Sequence, residues 1–488
     1  MPRRQLGLAA PKRHGPAVRR YATFADRNHM RTLPIRRPLL ALVVLGIVMT
    51  GQRARAADDL TIPFSKTTLA NGLVVIFSED RTVPQVVVNI AFKVGSRMER
   101  VGRTGFAHLF EHLMFMGTER APRGAFDAWM EAAGGHNNAT TREDLTDYFD
   151  IVPSTALPLV LWLEADRMRD LGRLIDAKKL DLQREVVLNE RRQSIENRPY
   201  GVEELVLPEL LWPEGHPYHH PVIGSPADLK AAAVPDVKEF FEKWYDPSNA
   251  SLVVAGDFDV GETRARIEQW LGSIPTRGTP GKATETVALD ERTTLTAVVR
   301  RTVSDQVELP KVTLAWQSPR HLAPGDAEMD LLASVLSSGK SSRLYRDLVY
   351  EKKIAQSVEA MQESQVLGSA FIVSALARPG IDPAKLEKAL FDEVAKLRAQ
   401  EVSAEELDRA KNVYEMDFVE RLQALPERAV LLNTYETEVG DPGYVQRDLD
   451  RYRHAKAKDL FDYANRVLSP DAVVVLTIVP QPRAEVMK

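Results

Sequence analysis

The stretch that most constrains the fold is 106–116, Phe-Ala-His-Leu-Phe-Glu-His-Leu-Met-Phe-Met, where every residue except His108, Glu111 and His112 is apolar. Read as a helix, it is apolar nearly all round, and such a helix is stable only when other layers cover it. The fold must therefore be layered, with this helix inside. At spacings of i, i+3 and i+4 the three polar side chains share one face and project into one small volume. Burying them without partners would cost roughly 2 kcal/mol or more for each polar group, and far more for an ionised carboxylate. A zinc ion satisfies them directly, because two neutral imidazoles one turn apart both reach a tetrahedral metal at about 2.0–2.1 Å. Glu111 then faces the metal-bound water, in the His-x-x-Glu-His order that inverts the commoner zincin motif. The alternative is a histidine pair hydrogen-bonded inside a core, which surroundings this apolar disfavour.

A chain of 488 residues exceeds what one hydrophobic core supports, so two or more domains are expected. Charge is distributed unevenly. Residues 1–56 carry twelve Lys or Arg against the single acid Asp26, while residues 57–488 carry 52 basic and 67 acidic side chains, a formal −15. A body that acidic offers no footprint for nucleic acid. The absence of cysteine removes disulfides, thiolate metal sites and cysteine nucleophiles together. In the basic leader, Arg36-Arg37 precedes a thirteen-residue apolar run, 38–50, and Ala54-Arg55-Ala56 forms a small-x-small cleavage site. A signal segment over 1–56, cleaved near Ala56, predicts a periplasmic or secreted protein. A mitochondrial presequence and a retained anchor are the competing readings. No later stretch reaches eighteen apolar residues, so no membrane span is expected in the mature chain.

Beyond the leader, strands and helices alternate. Strands are expected at 69–77 and 85–94, helices at 105–116, 124–133, 154–170 and 176–196, and a buried strand at 251–255. Turn formers crowd 271–282, the clearest boundary in the chain. The order then recurs, with strand 312–316, helix 326–337, strand 370–375, helices 383–400 and 404–422, and strand 472–479. The expected fold is α/β of the α+β type. It comprises two homologous αβ halves of about 210 residues, each a mostly antiparallel sheet flanked by helices. The expected domains are 57–275, carrying the metal helix, a linker at 276–290, and 291–488 without a metal.

A catalytic zinc needs a third protein ligand and an open position. In the helix 176–196, Gln183, Val187 and Glu190 fall on one stripe, so Glu190 is a polar residue on the face that Val187 would bury. By periodicity it reads either as a ligand or as a solvated helix charge.

His108-Leu109-Phe110-Glu111-His112, followed by Glu190 seventy-eight residues after the second histidine, resembles the pitrilysin family of zinc metallopeptidases, which includes mitochondrial processing peptidase and its bacterial relatives. The likeness extends through 134–148 (Gly-Gly-His-Asn-Asn-Ala-Thr-Thr to Thr-Asp-Tyr), His216 to Gly224, Tyr245 to Asp257, Ser341 to Leu344 and Glu405 to Lys411. The resemblance implies one Zn2+ held by His108, His112 and Glu190, with Glu111 as general base in a zinc metalloendopeptidase. It also implies that a peptide substrate adds as a strand beside Asn138 and Ala139. Gln183 stands where much of the family has a second glutamate, so it can still hydrogen-bond a ligand but supplies no charge.

A further departure bears on partners. Val349 and Gln356 occupy places where family members often carry a substrate-contacting arginine and tyrosine. The resemblance therefore points to a dimer, either with a homologous subunit that lacks the zinc motif and supplies those groups, or with a second copy. The other functional readings are a non-catalytic scaffold or assembly subunit and a mitochondrial presequence-processing peptidase. His136, beside the supposed substrate strand, and His216, His219 and His220 read as loop residues.

Overall fold

The computed structural model describes residues 60–277 and 295–481. The leader and nearly all of the expected linker lie outside the described residues. The first half opens with β1 (Ser65–Thr68), β2 (Val74–Glu79) and β3 (Gln85–Phe92). The strand expected at 69–77 begins only at Val74, because Asn71 and Gly72 turn the chain. Gly72 has φ 85°, and a Cβ there would lie 2.5 Å from that of Ser248.

Helices α1 (Phe106–Leu113) and α2 (Ala125–Ala132) lead to the hairpin β4 (His136–Thr141) and β5 (Thr146–Pro153). Then come α3 (Leu157–Asp170), α4 (Ala177–Glu190), α5 (Val202–Leu211), α6 (Pro226–Ala231), α7 (Val234–Trp244), β6 (Ala250–Gly256) and α8 (Val260–Trp270). The long helix expected at 176–196 is α4 continued by a wider π-helical stretch, Arg191–Glu196. The sheet runs β1-β2-β6-β3-β5-β4. β2 and β6 are parallel and the other neighbours antiparallel.

The second half repeats this plan. Its strands are β7 (Val299–Asp305), β8 (Lys311–Ser318), β9 (Ala355–Glu363), β10 (Ser369–Ala377) and β11 (Val474–Pro480). Its helices are α9 (Asp326–Ser337), the π-helical Tyr345–Glu351, α10 (Pro383–Ala399), α11 (Ala404–Gln423), α12 (Leu425–Val439), α13 (Val445–His454) and α14 (Ala457–Val467). The order β7-β11-β8-β10-β9 matches β2-β6-β3-β5-β4 strand for strand, including the one parallel pair, β7 with β11. Each half is thus a mostly antiparallel sheet flanked by helices.

The halves interlock because a sheet has two faces to cover. On β3, Val86, Val88 and Ile90 face the helices of their own half, whereas Val87 faces the second half. There Ile76, Val87, Ile151 and Val253 pack against Leu431, Leu432 and Tyr435 of α12 and Leu449 of α13. Reciprocally, Leu207 and Leu211 of α5, with Trp212, cover Ala315, Ala370 and Val474 of the second sheet. Burial on both faces accounts for the nearly unbroken apolar run of β3. Its polar exception, Asn89, meets Asn433 of α12, whose Nδ2 donates to Asn89 Oδ1 at 2.6 Å and whose Oδ1 accepts from Ser251 Oγ. Glu203 joins the halves at the other contact, pairing with Lys311 Nζ and Thr313 Oγ1, both at 2.5 Å.

Candidate metal centre

The metal helix is held at its start and along its underside. Gly105, with φ 86°, turns the chain into α1 where it crosses Gly224, and a Cβ on Gly105 would come within 2.8 Å of the Ile223 carbonyl oxygen. Glu99, fully buried, caps the helix by accepting from the amides of Gly105 at 2.8 Å and Ala107 at 2.7 Å. Burial pushes its carboxyl well above the ordinary range even though those amides pull it down. Beneath α1, Phe110 packs on Tyr245 at 4.2 Å between centroids and stacks on Phe241 at 5.7 Å. The opposite face is left to the polar residues.

His108 and His112, one turn apart on α1, meet Glu190 at the end of α4. His108 Nε2 and His112 Nε2 are 3.2 Å apart, His112 Nε2 is 3.1 Å from Glu190 Oε2, and His108 Nε2 is 3.8 Å from Glu190 Oε1. Among the described residues this is the one group of three such side chains whose ligand atoms gather this closely, all within 4.8 Å. Three donors around a tetrahedral ion at about 2.1 Å stand about 3.4 Å from one another, so the two nitrogens and the oxygen are already spaced for zinc. The field agrees. Burial opposes charge on His112, yet its bond to Glu190 and the charges of Glu111 and Glu190 outweigh that and raise its pKa. The site therefore favours a positive charge between these groups.

Glu111 lies beside the trio. Burial pushes it up to about 7, opposed by a hydrogen bond from Thr141 Oγ1 at 2.5 Å and by His112. A carboxyl poised there both accepts and returns a proton near neutral pH.

Asn138 and Ala139 lie on β4, the edge strand of the first sheet. Ala139 N donates to Asn138 Oδ1 at 3.0 Å, a local bond that an incoming strand would displace. Gln183 is buried on the predicted stripe, where its Nε2 donates to Met116 Sδ at 2.8 Å and its Oε1 is buried without a hydrogen-bond partner. Val349 differs from a substrate-facing position. It is 8% exposed and packs in the second core, so an apolar side chain suits it, whereas Gln356 is exposed at the start of β9.

His136 opens β4, exposed. His216 stacks on Trp212 at 4.3 Å and its Nδ1 accepts from the Tyr218 amide, while His219 Nδ1 meets the Trp212 carbonyl at 2.7 Å. Sequence reasoning missed Glu99, although it caps a helix start only six to eight residues further on. The role of Thr141 carried no signal, because it depends on a contact thirty residues away that only the fold brings together.

A buried helix bearing His-x-x-Glu-His, an acid from a second helix and an open sheet edge beside them define an inverted-zincin metallopeptidase scaffold. Residues 74–214 match the family described as Insulinase (Peptidase family M16), and residues 232–414 match Peptidase M16 inactive domain. The chain is 30% identical over 434 residues to "Zinc protease PqqE" of Helicobacter pylori, covering 88% of this chain and 95% of that one. The crystal structure of a protease from Helicobacter pylori superposes with TM-score 0.79 at 27% identity, over 86% of this chain and 100% of that one. The first half of the periplasmic protease PqqL from Escherichia coli shares the fold, with TM-score 0.70 at 18% identity over 86% and 92% of the two chains. The protein belongs to peptidase family M16, the pitrilysin family, among relatives named as zinc proteases. The stretch matched by the inactive-domain description contains α9, which has no histidine.

Proposed function

We propose that this chain is an exported zinc-dependent endopeptidase that cleaves peptides or unstructured segments. The observation that carries the reading is the convergence of His108, His112 and Glu190, with Glu111 beside them, at the foot of an open strand edge. His108 and His112 each offer an imidazole nitrogen and Glu190 a carboxylate oxygen, a donor set of the kind catalytic zinc takes. Zinc, when bound, supplies a Lewis acid that polarises the scissile carbonyl and acidifies water. Glu111 takes the proton from the attacking water and returns it to the departing amine, the role of a general base and acid beside a metal. The peptide lies along β4 as an added strand at Asn138 and Ala139, so main-chain pairing reads an extended backbone more than a sequence.

The leader supports export to the periplasm or beyond, and among the described residues no helix is long and apolar enough to cross a membrane. The exposed Gln356 offers an amide where a phenol would reach substrate. A second subunit, either a homologue without the zinc motif or another copy, would supply the missing contacts and enclose the peptide. In the zinc-loaded protein, assayed alone and with whatever co-purifies, Glu111→Gln should keep its metal and lose at least about 10²-fold in peptide turnover. Undiminished turnover would overturn the assignment of the base. Wild-type protein that hydrolyses no peptide in either state would favour the scaffold reading.

A further inference from the structure

The strand proposed to receive substrate also holds the base. Thr141 is the last residue of β4, and its Oγ1 donates to Glu111 Oε2 at 2.5 Å. A hydrogen bond to a carboxylate is among the stronger kinds and directional, so it selects one orientation of a side chain that otherwise turns about its χ angles. Holding one oxygen leaves the other available for a proton.

Thr141 is itself unusually well fixed. It pairs with Thr146 across the hairpin, and Thr146 Oγ1 donates to the Val94 carbonyl at 2.8 Å. The intervening turn is bound back to the first half by the amides of Ser96 and Arg97, which donate to the carbonyls of Arg142 at 3.2 Å and Glu143 at 3.0 Å. Gly95 allows that approach, since a Cβ there would sit 2.2 Å from the Arg142 carbonyl oxygen. The second half grips the same turn. Asp144 accepts from the Val366 amide at 3.1 Å and from Tyr218 Oη at 2.7 Å, and Tyr218 Oη accepts in turn from the Leu367 amide at 3.0 Å.

We infer that Thr141 is the positioning residue for Glu111. Its hydroxyl aims the carboxylate, and the hairpin anchored on both halves keeps that hydroxyl in place. A peptide added to β4 pairs with the strand that ends in Thr141, so substrate binding and the aiming of the base share one rigid element. The inference rests on the endopeptidase reading, and its test separates the two.

The test compares Thr141→Val, which keeps the shape and removes the hydroxyl, with Thr141→Ser, which keeps the hydroxyl, both in the zinc-loaded full-length protein. Thr141→Val should retain zinc and lower kcat about 10- to 100-fold, with KM changed less than about twofold, as expected when a reacting group is misaimed rather than removed. Thr141→Ser should restore most of the loss. In a Glu111→Gln background, Thr141→Val should cost nothing further, because a residue acting through another has no effect once that other is gone. Independently of turnover, a crystal structure of Thr141→Val should show the Glu111 carboxylate turned out of its wild-type position. An unchanged kcat, a loss confined to KM or to zinc, a full additional loss in the Glu111→Gln background, or an unmoved carboxylate would each overturn the inference. If wild-type protein hydrolyses nothing, the endopeptidase reading fails, and the crystallographic comparison still decides the role of Thr141.

Discussion

Asn433→Ala tests whether the two halves unfold together. Asn433 is 1% exposed on α12, where its Nδ2 donates to the Asn89 carbonyl at 3.0 Å and to Asn89 Oδ1 at 2.6 Å, and its Oδ1 accepts from Ser251 Oγ. Truncation leaves Asn89 Oδ1 and Ser251 Oγ buried without those partners, at about 1–3 kcal/mol each, so a loss of about 3 kcal/mol is expected. For a unit of about 400 residues, unfolding entropy near 2 cal/mol/K per residue converts that into a fall of about 3–4 °C in Tm. Five of the six tryptophans, Trp129, Trp162, Trp212, Trp244 and Trp270, lie in the first half, with only Trp316 in the second. Tryptophan fluorescence therefore follows the first half, while far-UV circular dichroism follows both. Because each half covers the other's sheet, urea transitions by the two probes should coincide and shift together in the variant. Asn89→Ala combined with Asn433→Ala should be non-additive by about 1 kcal/mol or more. Separate transitions in the wild type, or a shift seen by circular dichroism alone, would refute the interlocked description.

Two further predictions concern acid and export. Burial, with His219 nearby, holds His216 down at about 4 against 6.5 in the unfolded chain. Its contribution is thus intact above about pH 6.5 and is lost as the pH falls toward 4. His216→Phe should flatten that acid limb of stability, and parallel limbs in denaturant titrations would reject the assignment. Mass spectrometry of the native protein should find its N-terminus at Ala57 or within a few residues, whereas retention of residues 30–50 would reject cleavage.

The convergence on α1 was legible because that helix sets three polar residues into an otherwise apolar repeat, a conflict that a shared site would resolve. Glu190 was ambiguous for the opposite reason. α4 is amphipathic only weakly, and what distinguishes a ligand from a solvated charge is the packing of α4 against α1, which periodicity along one helix does not encode. The edge strands escaped local pattern altogether. β4 reads His-Asn-Asn-Ala-Thr-Thr and β9 Ala-Gln-Ser-Val-Glu-Ala-Met-Gln-Glu, alternating in burial but with few apolar residues, since an edge strand has little core to face. β5 hid its alternation behind Asp147 and Asp150, buried at 3% and 1%, with Asp147 bonded to Asn89. The helices that cover the opposite half, α5 and α12, were missed together, because their partners lie more than a hundred residues away and leave no local trace. Gln183 was placed on the correct stripe, but the direction of its amide followed from Met116, sixty-seven residues distant.

The central claim is that His108, His112 and Glu190 make one zinc site. Anomalous diffraction at the zinc edge from crystals of the purified protein tests it most directly. A single strong peak per chain is predicted within about 2.0–2.2 Å of His108 Nε2, His112 Nε2 and a Glu190 carboxylate oxygen, absent from crystals of Glu190→Gln soaked at equal zinc. Density for zinc only elsewhere, or none at these three residues in zinc-replete crystals, would contradict the account.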